Sequence, residues 1–191
     1  MIPSWNNQGV IPPVRGLEGN DPDRSPYIVT LQSVVERFAS SKERIRILKG
    51  LLDYRAELYK IGLTKGFQWL DGSFMENIEI LESRPPHDMD VVTFFYLPQG
   101  ETQKSLLDKG GKFLFGKHLK EKYFVDAYLV TLSNVENQYP VFIRKVCYWY
   151  SMWSHRRSNL WKGFLQISLD PKEDELAKDI LQRKMGGQNE Y

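Results

Sequence analysis

The 191-residue chain has a single cysteine, Cys147. One thiol excludes an intramolecular disulfide framework and any zinc cluster built on several thiolates, so a reducing, cytoplasmic setting is expected. Long apolar runs are also missing: no segment nears the roughly 20 apolar residues that a bilayer-crossing helix needs, so no membrane partner is expected. The opening "MIPSWNNQGVIPP" lacks a basic start followed by an apolar stretch, and no signal peptide is read there. Charge of one sign is scarce. A formal net charge of +2 does not announce a nucleic-acid binder, and such a role would need a local basic surface. Internal repeats and low-complexity tracts are absent. What remains is a composition 41% hydrophobic and 26% charged, which argues against disorder and suits one domain with a substantial core.

Residues 1–26, rich in Pro, Gly and Asn, read as an arm over the domain surface. Ser25-Pro26 then suits a helix start, with Ile28, Leu31, Val34, Val35 and Phe38 on one face of a helix from Tyr27 to Ala39. A longer helix begins at Ser40 or Ser41, where Ser40-Ser41-Lys42-Glu43 matches a capping box. Ile45, Leu48, Leu51, Leu52, Ala56, Leu58 and Tyr59 carry its buried stripe, and Gly62 ends it. Gly66 to Leu70 reads as a strand. Ser73 caps a short helix to Leu81 with Glu76 at the capping-box position, and "DMDVVTFFYL" is a second strand. A helical connection from Glu101 to Glu121, broken near Gly110-Gly111, leads to the strand "YFVDAYLVTL". Helix returns from Val135 to His155. Its "VFIRKVCYWYSMW" is apolar nearly all round and reads as a central buried helix, with an aromatic partner-binding patch as the alternative. "WKGFLQISL" is a fourth strand, 171–185 a charged amphipathic helix, and 186–191 a flexible tail. The alternation predicts one α/β (α+β) domain over 27–185, a small mixed sheet packed with helices.

The chemistry concentrates in three acids. On a strand, Asp88 and Asp90 project to the same face about 7 Å apart at the backbone, while Met89 and Val91 face the core. Paired anions resist ionising together unless a cation neutralises them, and a hard divalent cation does so. Two ordinary acids at a solvated strand end are the plain alternative. Asp126 sits within an otherwise apolar strand, where an unpaired carboxylate is costly. If its strand lies beside that of Asp88 and Asp90, the three converge on a site for two metal ions about 4 Å apart. The plain alternative for Asp126 is an ion pair with a nearby Lys or Arg. Upstream, Gly72 lets a phosphate approach the backbone, and Ser73 starts a helix with free N–H groups and offers a hydroxyl.

Leu70-Asp71-Gly72-Ser73, Asp88-Met89-Asp90 and Val125-Asp126-Ala127 together resemble the polymerase-β-type nucleotidyltransferase superfamily. The "RSPY" of the arm, "GFQWLDGSF", "DMDVVTFF" and "YWYSMWSHRR" are similar to a little-characterised family of bacterial and phage-associated nucleotidyltransferase-like proteins, over about Ile11 to Leu169. The resemblance implies a nucleotidyltransferase-like fold, with Gly72 and Ser73 binding a nucleoside triphosphate such as ATP. It implies that Asp88, Asp90 and Asp126 are catalytic and hold Mg²⁺, or Mn²⁺ in its place. It also implies a toxin–antitoxin or phage-defence setting.

"SHRRSNLWKG" adds His155, Arg156, Arg157 and Lys162, read as a cationic wall for nucleotide phosphates or RNA, or else as a solvated helix end. Arg84 and His87 stand just before the acids and are phosphate contacts or plain loop residues. Lys104, Lys109, Lys112, Lys117, Lys120 and Lys122 form either a nucleic-acid-facing surface or an ordinary solvated helix. Two functions are therefore expected in competition. One is a Mg²⁺-dependent nucleotidyltransferase moving a nucleotidyl group to an RNA or protein hydroxyl. The other is a non-catalytic nucleotide-binding, antitoxin or sensor module using the same fold.

Overall fold

A computed structural model describes residues 1–16, 18–110, 116–132 and 138–186. Gly111 and Lys112, the expected helix start at 135–137, and 187–191 of the tail lie outside the described residues. The chain forms an α+β domain in which helices pack on a five-stranded mixed sheet.

The strands are β1 (Tyr27–Ile28), β2 (Gly66–Asp71), β3 (Met89–Tyr96), β4 (Val125–Leu132) and β5 (Leu165–Ser168). Their order across the sheet is β1-β5-β2-β3-β4, with β1–β5 and β3–β4 parallel and the two central pairings antiparallel. The helices are α1 (Leu31–Phe38), α2 (Lys42–Lys60), α3 (Ile78–Leu81), α4 (Gln103–Gly110), α5 (Lys117–Tyr123), α6 (Tyr139–Trp153) and α7 (Pro171–Gly186).

Ser25-Pro26 opens a strand, not the expected helix. The N–H groups of Tyr27 and Val29 donate to the carbonyls of Phe164 and Gln166, and the Ser25 hydroxyl accepts from the Phe164 N–H at 2.8 Å. Sheet pairing therefore claims the backbone that helix would need. α1 is capped five residues later, by Thr30, whose hydroxyl accepts from the Ser33 N–H. α2 is capped by Ser41, which takes the Arg44 N–H, so the Ser40–Glu43 capping box is not the one used. Its C-terminus does turn at Gly62, at φ +88°, with the Gly62 N–H returning to the Tyr59 carbonyl. The arm is less superficial than expected: Ile2, Val10 and Ile11 are buried, and the Trp5 indole donates to the Met75 carbonyl at 2.7 Å.

Alternation along β3 sorts the two faces of the sheet. Met89, Val91 and Phe95 join the main core with α1, α2, α5 and α7, whereas Val92 and Phe94 join Trp69, Val130, Phe164 and Trp153 beneath α6. α6 is not the central buried helix that its composition predicts. Of its residues only Trp153 is buried; Phe142, Val146 and Trp149 rest on the sheet while Val141, Ile143 and Tyr148 are exposed. Among the described residues, no helix is long and apolar enough to cross a membrane.

A buried polar network ties α2, β2 and α7 together. The Arg55 guanidinium meets both Asp174 oxygens, Gln68 Oε1 at 2.5 Å and the Ser168 carbonyl, and the Tyr59 hydroxyl donates to Asp174. Removing one member of such a pair leaves a buried charge without its partner. Asp174→Ala is expected to cost about 3–5 kcal/mol in urea denaturation, and Arg55→Met with Asp174→Leu considerably less.

Candidate active site

Cross-strand register gathers more acid than the sequence reading foresees. Asp71 is the partner of Asp90 across β2–β3, and Asp90 is the partner of Asp126 across β3–β4. Register partners share a face with Cβ atoms about 4.5–5.5 Å apart, so Asp71, Asp90 and Asp126 form a row across three strands. Asp88 stands one step before β3 and lines the same pocket, of about 740 Å³. The row lies on the α6 face, since Asp90 shares its parity with Val92 and Phe94.

Such a row is repulsive, and two lysines sit at its ends. Lys162 is buried against the buried Asp71 and lies 3.7 Å from Glu76. Burial pushes the Asp71 carboxyl up, and the Lys162 ammonium beside it pulls the other way. At the other end Lys120 pairs with Asp88 and lies 3.9 Å from Asp126, which holds its ammonium above the ordinary lysine range. The chain turn places it there: Phe124 adopts a left-handed conformation at φ +54° and returns its N–H to the Lys120 carbonyl. Asp126 thus has the lysine neighbour of its plain reading and also faces the other acids. Asp90 has no ion pair among the described residues. Its carboxyl is pushed up to about 7 by burial and then by the charges of Asp71, Asp88 and Asp126, with Lys162 pulling the other way.

The Gly72-Ser73 turn differs from the expectation. Ser73–Met75 is a single 3-10 turn, Glu76 returns to extended backbone, and α3 starts afresh after Asn77. No helix of useful length begins at Ser73, so its hydroxyl and the adjacent backbone are what it offers. Gly72 sits at φ +88°, and a Cβ there would stand 2.9 Å from Asp90 Oδ2. Glycine is required here because the carboxylate packs against it. Instead of capping a helix, Glu76 meets Arg156 at 3.2 Å. The turn is pinned from behind by buried Arg44, which donates to the Phe74 and Glu76 carbonyls at 2.7 Å and to Glu79.

The wall opposite is a loop, 154–163, closed on itself by Arg156 N–H to the Leu160 carbonyl and Lys162 N–H to the Ser154 carbonyl. It brings His155, Arg156, Arg157 and Lys162 into the pocket, with Arg84 and His87 from the other side. Arg156 is engaged by Glu76 and Glu82, and Arg84 by Glu82. Arg157 has no carboxylate partner among the described residues.

Residues 3–168 match a family of unknown function, DUF6932. The chain belongs to that family. No curated protein matches it, and no solved structure does.

Oxygen donors on one wall suit a hard divalent cation, and Lys120 is the cation that Asp88 and Asp126 face in this DUF6932 chain. Among the described residues, no group of three or more His, Cys, Asp or Glu is arranged to hold a metal ion as it stands. The donor chemistry fits such an ion, with Lys120 as its competitor. Asp71, Glu76 and Lys120 were the residues missed. In the sequence Asp71 stands out only as part of the Leu70–Ser73 motif and Lys120 as one lysine of many, although Lys120 and Asp126 bracket one helix-to-strand turn.

Two outcomes are expected. Because the Asp90 pKa of about 7 lies above its ordinary value of 3.8, the folded chain binds the proton between them. Its stabilising contribution is full below the lower value and is lost as pH rises through about 7. Urea denaturation across this range shows a steeper slope in the wild type than in Asp90→Asn, where only the raised Asp71 and Glu76 carboxyls still contribute. Asp71→Asn, which removes a negative neighbour and frees Lys162, lowers the Asp90 midpoint by roughly one unit or more in carbon-detected NMR titration.

Proposed function

We propose that this chain is a metal-dependent nucleotidyltransferase that moves a nucleotidyl group from a nucleoside triphosphate to an RNA or protein hydroxyl. The supporting observation is the carboxylate row, Asp71–Asp90–Asp126 with Asp88 beside it, facing the Gly72-Ser73 turn in one pocket. Ser73 donates its hydroxyl to a phosphate oxygen, and Arg157 anchors the phosphates from the loop opposite. Asp88, Asp90 and Asp126 would hold Mg²⁺ or Mn²⁺, which when bound supplies the positive charge that phosphate oxygens need beside carboxylates. The acceptor hydroxyl oxygen bonds to the α-phosphorus, the bond to the bridging oxygen breaks, and pyrophosphate leaves with that electron pair. Asp126, at the open end of the row, takes the hydroxyl proton. The toxin–antitoxin or phage-defence setting is part of the same proposal and rests on the resemblance alone.

The test is transfer of an α-phosphate label from each nucleoside triphosphate, with Mg²⁺ or Mn²⁺, to total RNA or protein. Transfer is expected, and Asp90→Asn lowers it by roughly a hundredfold or more. The Lys120 pairing favours a second reading, a non-catalytic nucleotide-binding, antitoxin or sensor module. Absence of transfer under every condition, with triphosphate binding retained in wild type and Asp90→Asn alike, selects that reading over the first.

A further inference from the structure

α6 carries a stripe that the pocket chemistry leaves unused. Val141, Lys145, Tyr148 and Met152 recur at i, i+4, i+7 and i+11, which places them along one flank of the helix over roughly 16 Å. Three of them are strongly exposed, Val141 at 52%, Tyr148 at 57% and Met152 at 41%. Beside the flank, the Trp149 ring lies 5.1 Å from Tyr148 at 79° and 4.5 Å from Tyr128 of β4. The stripe is continuous with the pocket. Met152 lines it, and Tyr128 stands two residues from Asp126 on the same face of β4, where the carboxylate charge, after burial, helps to push the Tyr128 hydroxyl up.

The charge of the helix selects the occupant. α6 contains Arg144 and Lys145 but no acidic residue, and neither cation has a carboxylate partner among the described residues. Exposed aromatic rings interleaved with free cations, leading into a site for a phosphate-bearing substrate, suit unpaired bases and their backbone. An apolar protein surface would leave Lys145 desolvated in the middle of the stripe. The Tyr148 hydroxyl has no hydrogen-bond partner among the described residues, and it can donate to or accept from a ribose 2′-hydroxyl. We propose that the Val141–Lys145–Tyr148–Met152 flank, with Trp149 and Tyr128, is a track for single-stranded RNA that delivers the strand's terminal hydroxyl to Asp126. This choice of acceptor rests on the nucleotidyltransferase reading of the pocket.

The experiment separates the two. Fluorescence anisotropy of a short unstructured RNA, labelled at its 5′ end, measures the track on the full chain without any triphosphate. Micromolar or tighter binding that weakens with added salt is expected. Tyr148→Ala and Lys145→Glu each weaken it by roughly tenfold, while Tyr148→Phe retains most of the stacking. DNA of the same sequence binds more weakly. Triphosphate binding, measured alone by calorimetry, is unchanged in these variants. RNA binding that is absent, or unaffected by both substitutions, overturns the track, as does self-association through α6 seen by light scattering in place of RNA binding. Equal binding of DNA overturns the assignment to RNA. Retained, variant-sensitive RNA binding with no triphosphate binding supports the track and counts against the pocket reading instead.

Discussion

Repulsion among carboxylates at one end of the sheet is the constraint around which the rest of this chain is arranged. Strand pairing sets Asp71, Asp90 and Asp126 side by side, and nothing in the backbone can relieve that crowding. Lysines from two different connections relieve it instead, Lys162 after α6 and Lys120 before β4. Each neutralises one end of the row. The acid between them absorbs the remaining strain as a proton held near neutrality. The proposed phosphoryl transfer would use that poise, since charge arrives and leaves in it.

The fold serves this end of the sheet from both sides. Beneath it, the main core and the Arg55–Asp174 network fix β2 against α2 and α7, so Asp71 cannot drift. Above it, α6 covers the other face only partly and stops at Trp153, where the chain turns into the cationic loop. Arg44 makes four hydrogen bonds to the segment after Gly72, one each to the Phe74 and Glu76 carbonyls and two to Glu79 of α3. It is fully buried, and a purely apolar residue there would leave two carbonyls and a carboxylate without partners.

Much of this was legible in the sequence because it rested on local periodicity. The strands β2 to β5, the two long helices and the shared face of Asp88 and Asp90 follow from alternation and from the 3.6-residue repeat. What escaped depended on register between distant segments. Asp71 looks like half of a turn until β2 is laid against β3, and β1 exists only because β5 offers it carbonyls. The buried reading of α6 failed because an apolar composition cannot say how many layers lie above a helix. Ser73 failed as a helix start because Glu76 is more strongly held by Arg156 and Lys162 than by a cap. Arg156 and Lys162, expected as phosphate contacts, line the pocket, and both are engaged by acids there.

The two neutralising lysines differ in where the chain supplies them. Lys120 lies only 32 residues beyond Asp88 and 6 before Asp126, whereas Lys162 lies 91 residues beyond Asp71. In chain order, the acids at the β4 end and the lysine that faces them all precede Lys162. A chain that ended short of Lys162 and β5 would leave Asp71 without its cation and β2 with an unpaired edge, so one stretch of sequence supplies both.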